Sequence, residues 1–74
     1  MTLGDWLRAA ESRLAEAGVA SPRLEAQMLA CRALGIERSS LLASDREGDA
    51  PSSDPLFRRL RGEPLAYILG WREF

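Results

Sequence analysis

The fold is decided by residues 21–35, SPRLEAQMLACRALG, in a chain of 74 residues. Ser21 offers a capping hydroxyl, and Pro22 suits a first helical position, where its missing N–H is not needed. Gly35 can end the helix, because glycine tolerates the left-handed conformation that closes many helices. Apolar residues cover most of the circumference: Leu24, Ala26, Met28, Leu29, Ala30, Cys31, Ala33 and Leu34. A helix with such coverage is packed on several sides, so we expect it at the centre of the fold.

The spacing of apolar residues in the segment before this helix predicts an amphipathic helix of about four turns. Thr2 can cap it, with Asp5 as the acidic partner of a capping box, and Gly18 ends it. Its apolar face comprises Leu3, Trp6, Leu7, Ala10, Leu14 and Ala17. We expect Leu14 here, and Leu24, Met28 and Cys31 in the central helix, to be core residues.

The second half of the chain predicts three more short helices. We expect Ser39 or Ser40 to cap the third, followed by a polar surface loop over residues 44–53. Asp54 and Pro55 then repeat the pattern of a cap before a proline. The fourth helix would place Leu56, Phe57 and Leu60 on its inner face and end at Gly62, and the fifth would run from Pro64 to Gly70. The predicted fold is all-α, a small bundle of about five short helices.

Residues 71–74 are Trp-Arg-Glu-Phe and alternate between large apolar and charged side chains, which predicts the start of a strand. No cap or stop follows them. We therefore expect the chain to be the first part of a larger protein.

Composition limits the kinds of site that the chain can hold. The net charge is −1, all ten basic residues are arginine, and the chain has one cysteine and no histidine. A zinc or iron–sulfur site is therefore not expected. Cys31 has no histidine partner, and the glutamates fall on polar helical faces, so we predict no catalytic, cofactor-binding or metal-binding residue. Without a targeting signal or a long apolar run, the sequence predicts a cytoplasmic protein.

Two features of the last helices suggest contacts with partners. Arg58, Arg59 and Arg61, with Arg72 further along the chain, form a basic cluster that can contact a protein or complement a helix dipole. Phosphate binding is conceivable, but no aromatic residues alternate with these arginines to stack on bases, so nucleic-acid binding is not favoured. Tyr67 follows Leu65 on an apolar helix, and we expect its ring to be half-buried.

Two segments closely resemble one protein family. Residues 62–70, Gly-Glu-Pro-Leu-Ala-Tyr-Ile-Leu-Gly, followed by Glu73 and Phe74, resemble the end of the N-terminal domain of release-factor glutamine methyltransferases (HemK/PrmC). Residues 21–26, continued to Leu34 and Gly35, resemble that family's second helix. The two segments occur in the expected order and spacing.

The resemblance implies a helical, substrate-docking N-terminal domain over residues 1–69 and, over residues 70–74, the start of a β-hairpin linker to an absent catalytic domain. The full enzyme would use S-adenosylmethionine to methylate the glutamine of the Gly-Gly-Gln motif in peptide chain release factors, which act in translation termination. Interdomain packing would involve Leu65, Tyr67, Trp71 and Phe74. The docking surface would include Arg58, Arg59 and Arg61.

No catalytic residue is carried over from the family, because its Asn-Pro-Pro-Tyr signature does not occur in these 74 residues. One alternative is a free-standing helical interaction module, such as a helix-turn-helix nucleic-acid binder built from the first two helices around Gly18. A second is a related methyltransferase that acts on another protein.

Overall fold

The computed structural model describes residues 1–70, which form five helices. These are α1 (Leu3–Glu16), α2 (Pro22–Leu34), α3 (Arg38–Ala43), α4 (Asp54–Leu60) and α5 (Leu65–Leu69). Residues 1–70 contain no β-sheet, only an isolated antiparallel bridge between Thr2 and Asp49. The prediction of a small all-α bundle is confirmed. The strand and linker predicted for residues 71–74 lie outside the described residues, and the domain boundary at residue 69 stays a prediction.

Helix α2 lies at the centre, as predicted, and packs against each of the other four helices. Its buried side chains include Ala26, Leu29 and Ala30, which meet the apolar face of α1 and single anchors from the shorter helices. Those anchors are Leu41 of α3, Leu56 of α4 and Ile68 of α5. Within residues 1–70, no helix has the length and apolar composition needed to cross a bilayer.

The start of α1 is fixed by its own capping box and by the loop that follows α3. The Asp5 N–H donates to Thr2 Oγ1 at 3.2 Å, as the sequence predicts. The loop adds backbone acceptors, since the N–H of Leu3 donates to the Gly48 carbonyl and that of Gly4 to the Arg46 carbonyl. Residues 44–53 are largely exposed, as expected. The same loop provides hydrogen-bond acceptors for amide groups that the first turn of α1 leaves without partners.

Two predicted helix starts and one predicted capping hydrogen bond need correction. Ser21 occupies the N-cap of α2, but its hydroxyl makes no capping hydrogen bond. Helix α3 begins at Arg38 with Glu37 as N-cap, not at Ser39 or Ser40, because the Leu41 N–H already donates to the Glu37 carbonyl. The N-cap of α4 is Ser53 and not Asp54, since the Phe57 N–H donates to the Ser53 carbonyl at 2.9 Å.

Several residues predicted to be buried are not. Leu24 is 39% exposed and Phe57 is 46% exposed, while Met28 and Cys31 are only half-buried. Ala17 is also exposed. Conversely, Gln27 is buried at 7% exposure, and its side-chain oxygen accepts a hydrogen bond from Arg38 Nε at 3.1 Å. One apolar face of α2 therefore remains open to solvent.

The two leucines that the sequence assigns to the core offer a matched test. Leu14→Ala should reduce the free energy of unfolding by about 2–5 kcal/mol, because Leu14 is fully buried and truncation leaves a cavity. Leu24→Ala should reduce it much less, since the side chain is already partly in water. Urea unfolding of both variants measures the difference. Equal losses would contradict this core assignment.

Candidate functional site

The predicted basic cluster lies at the end of α4 and is partly neutralised. Arg58 holds Glu63 through two nitrogens, with Nη2 at 2.7 Å and Nε at 2.9 Å from the same carboxylate oxygen. The hydrogen bond from Arg58 lowers the pKa of the Glu63 carboxyl, and the charges of Arg58 and Arg61 lower it further. Arg61 is exposed at the C-cap of α4. The Arg58–Glu63 pair closes the turn between α4 and α5.

The guanidinium of Arg59 lies on the side of this cluster that faces α2. Its Nε donates to Glu25 of α2 at 2.7 Å, and the two side chains are only 23% and 15% exposed. Its Nη1 also donates to the Glu63 carbonyl at 3.3 Å. Arg59 is therefore a structural link between α2 and α4, and its role in docking a partner stays a prediction.

Arg59 is one of three arginines that each connect α2 to one of the later helices. Arg38 at the start of α3 donates from Nε to Gln27, while Arg32 of α2 donates from Nε to the Ile68 carbonyl of α5 at 3.2 Å. The residues of α2 in these contacts are Glu25, Gln27 and Arg32, three of the four polar positions of a largely apolar helix. Directional hydrogen bonds thus fix the orientation of helices that are only five to seven residues long.

An apolar groove, called here the α2 groove, lies on the open face of α2. Its apolar walls are Leu24, Met28 and Cys31 of α2, Ile36 of the following turn and Leu69 of α5, and Arg32 and Arg38 lie at its rim. The groove is shallow and open to solvent, with a volume of about 560 Å³. Residues 24, 28 and 31 lie on one face of α2, because they are spaced by four and three positions. The sequence does not reveal this face as a groove, since α2 is apolar on nearly all sides.

The side chains of the α2 groove suit the binding of apolar groups, and they form no catalytic arrangement. Partial burial raises the pKa of the Cys31 thiol, an effect that the nearby charge of Arg38 only partly opposes. A raised pKa leaves less thiolate, which is the reactive form of cysteine. Among residues 1–70, no three acidic, cysteine or histidine side chains lie together in a way that could hold a metal ion.

The residues predicted to pack between domains differ in their burial. Leu65 is half-buried and packs against the core. Tyr67 is 75% exposed, so the expectation of a half-buried ring is wrong. On the short helix α5, Ile68 takes the inward position and Tyr67 points away from the core. Trp71 and Phe74 lie outside the described residues.

Comparison with known proteins gives a consistent family assignment. The family model described as the PrmC N-terminal domain matches residues 5–70. A release factor glutamine methyltransferase from Bordetella pertussis is 48% identical over 66 residues, covering 82% of this chain and 24% of that protein. The protein of the same name from Nitratidesulfovibrio vulgaris is 45% identical over 78 residues, covering 99% of this chain and 26% of its own length. A third, from Vibrio cholerae, is 42% identical, covering 100% of this chain and 28% of its own length.

The chain thus spans about a quarter of the length of the curated relatives that it matches. No solved structure gave a significant match.

The two arginines on either side of residue 60 provide a test of the arginine links. Arg59→Ala should lower the free energy of unfolding by about 1–3 kcal/mol, because the largely buried Glu25 carboxylate loses its charged hydrogen-bond donor. Arg61→Ala, at an exposed position on the same helix end, is the matched control and should change stability little. Urea denaturation gives both values. Indistinguishable variants would show that Arg59 does not hold α4 on α2.

Proposed function

The chain belongs to the family of PrmC N-terminal domains, and on that premise we propose that it is the substrate-docking domain of a release-factor glutamine methyltransferase. The observation that carries the proposal is the match of residues 5–70 to this family, together with relatives of that name aligned over nearly the whole chain. The longer protein would methylate the side-chain amide nitrogen of the glutamine in a release factor's Gly-Gly-Gln motif. It would therefore act in translation termination, in the cytoplasm.

S-adenosylmethionine would supply the methyl group, and the described residues do not fit this cofactor. A cofactor loop of the Rossmann type needs glycines between a strand and a helix. The glycines with positive φ are Gly18, Gly35, Gly62 and Gly70, and each follows a helix. We therefore place cofactor binding and catalysis in the remainder of the longer protein.

The role left for this domain is recognition of the folded substrate. A release factor is much larger than the glutamine that reacts, so contacts remote from the reacting amide can raise turnover as well as affinity. Arg61 is the exposed arginine of the basic cluster, and Arg58 is partly exposed beside Glu63. We propose that these two residues contribute to docking, and that Arg59 contributes only by holding α4 in place.

A nucleic-acid-binding module is the less favoured alternative. Carboxylates hold Arg58 and Arg59, which reduces the positive charge available to phosphates. The family match over nearly the whole chain also supports the enzyme over a free-standing module.

Removal of the domain should separate docking from catalysis. Deletion of residues 1–69 from the longer protein should lower kcat/KM for intact release factor at least about tenfold more than for a short Gly-Gly-Gln peptide, a difference of about 1.4 kcal/mol in transition-state stabilisation. Steady-state kinetics with both substrates measures the two losses. Equal losses would mean that the domain supports only the fold of the enzyme.

Two charge-reversal variants test whether the surface at Arg61 takes part in docking. Arg61→Glu should mainly slow association with the release factor, because charges at the edge of an interface act mostly on the association rate. Arg13→Glu, at an exposed position on α1, is the control for a change of net charge alone. An equal effect of both variants would exclude a specific role for Arg61.

A further inference from the structure

We propose that the α2 groove is a docking site for a segment of the release factor in which acidic residues flank apolar side chains. The proposal rests on the proposed function in one respect, namely that the partner of this domain is a release factor. It adds a second contact surface to that of Arg61, on a face of α2 that the helix bundle leaves open to solvent.

The α2 groove has the character of an interface and not of ordinary surface. Leu24 and Ile36 are 39% and 38% exposed, and they lie with the half-buried Met28 and Cys31 around one concave surface. Apolar residues scattered singly over a surface are normal, whereas a contiguous apolar patch with a polar rim is typical of a contact site.

The apolar surface continues beyond the groove towards α3. A neighbouring depression shares Leu24 and Arg38 with the groove and adds Leu42, whose side chain is 50% exposed. Accessible apolar side chains therefore follow one another from Leu69 of α5, across α2, to α3. Such an open strip suits a peptide segment better than a small molecule, because small-molecule sites enclose most of the surface of their ligand.

Within residues 1–70, only basic charge borders this strip. Arg32 and Arg38 line the groove and Arg23 lines the neighbouring depression, whereas no aspartate or glutamate of these residues lines either one. None of the three arginines forms an ion pair with a carboxylate of residues 1–70. Burial raises the pKa of the Cys31 thiol and the charge of Arg38 partly opposes this rise, so that charge acts inside the groove.

Charge complementarity distinguishes between the possible occupants. Two copies of this chain that met through the strip would bring arginine against arginine, and like charges across an interface cost free energy. A nucleic acid would pair with the arginines, but no aromatic ring of residues 1–70 lines the strip to stack on its bases. A protein segment with carboxylates beside apolar side chains satisfies both the apolar floor and the basic rim.

Two positions of equal exposure provide a matched test of the apolar contact. Ile36 lines the groove, while Leu34, also 38% exposed, does not. In the longer protein, Ile36→Gln should weaken the binding of intact release factor about tenfold, because an apolar side chain buried in the complex is lost. Leu34→Gln is the control and should leave the dissociation constant unchanged. Isothermal titration calorimetry with purified release factor measures both.

Opposite charges at the same position test the sign of the partner's charge. Ile36→Glu should bind release factor at least about tenfold more weakly than Ile36→Lys, because a new carboxylate repels the acidic residues of the segment and an ammonium attracts them. Leu34→Glu and Leu34→Lys make the same changes in net charge outside the groove, and their dissociation constants should agree. Equal binding of the two Ile36 variants would overturn the proposed chemistry of the segment.

The other possible occupants give different results. Equal binding of release factor by Ile36→Gln and Leu34→Gln would overturn the proposal. So would self-association of the unchanged protein that Ile36→Gln abolishes, since the groove would then belong to a second copy. Methyl transfer to a short Gly-Gly-Gln peptide should be the same in all variants. A loss confined to the Ile36 variants would show that the groove supports the fold of the longer protein, and would also overturn the proposal.

Failure of the proposed function gives a separate result. Absence of methyl transfer from the unchanged protein to both the peptide and the intact release factor would contradict the proposed enzyme. The calorimetric comparison would still decide the docking proposal, because binding of release factor at the α2 groove requires no methyl transfer.

Discussion

The structure depends on the burial of α2 by every other helix. The five helices contain between 5 and 14 residues, and isolated helices shorter than about 12–15 residues are marginal in water. Their stability must therefore come from packing, and α2 is the element that all of them contact. The fully buried Leu29 and Ala30 of α2, together with Leu14 of α1, form the interior on which the shorter helices rest.

Polar contacts then determine how those helices are oriented. Packing places one buried apolar residue from each short helix in the core, with Leu60 of α4 and Leu65 of α5 partly buried against it. So few apolar contacts specify the rotation of a short helix only weakly. The hydrogen bonds of Arg38, Arg59 and Arg32 supply the missing directional constraint, one for each of α3, α4 and α5. Their consequence is that α5, the last helix of the described residues, has a defined position beside the α2 groove.

The sequence predicted the elements well and their exposed faces less well. Glycines, prolines and the Thr2–Asp5 box are local signals, so the number and order of the helices followed from them. Leu24 and Phe57 were wrongly assigned to the core, because helical periodicity identifies an apolar face but not whether another helix covers it. For the same reason the α2 groove was not predicted. The arginine links join residues up to 36 positions apart, and no local pattern reveals which distant carboxylate or carbonyl an arginine will meet.

The central claim is that α2 holds the short helix α5 as part of one cooperative unit. Native-state hydrogen exchange, resolved by residue, tests this most directly, because it measures the opening free energy of each segment. The account predicts that the amide of Ile68 in α5 exchanges through the same global opening as that of Leu29 in α2, and that Leu29→Ala lowers both opening free energies equally. If the α5 amide instead exchanges through its own low-energy opening, unaffected by Leu29→Ala, then α5 is not held by α2 and the claim is contradicted.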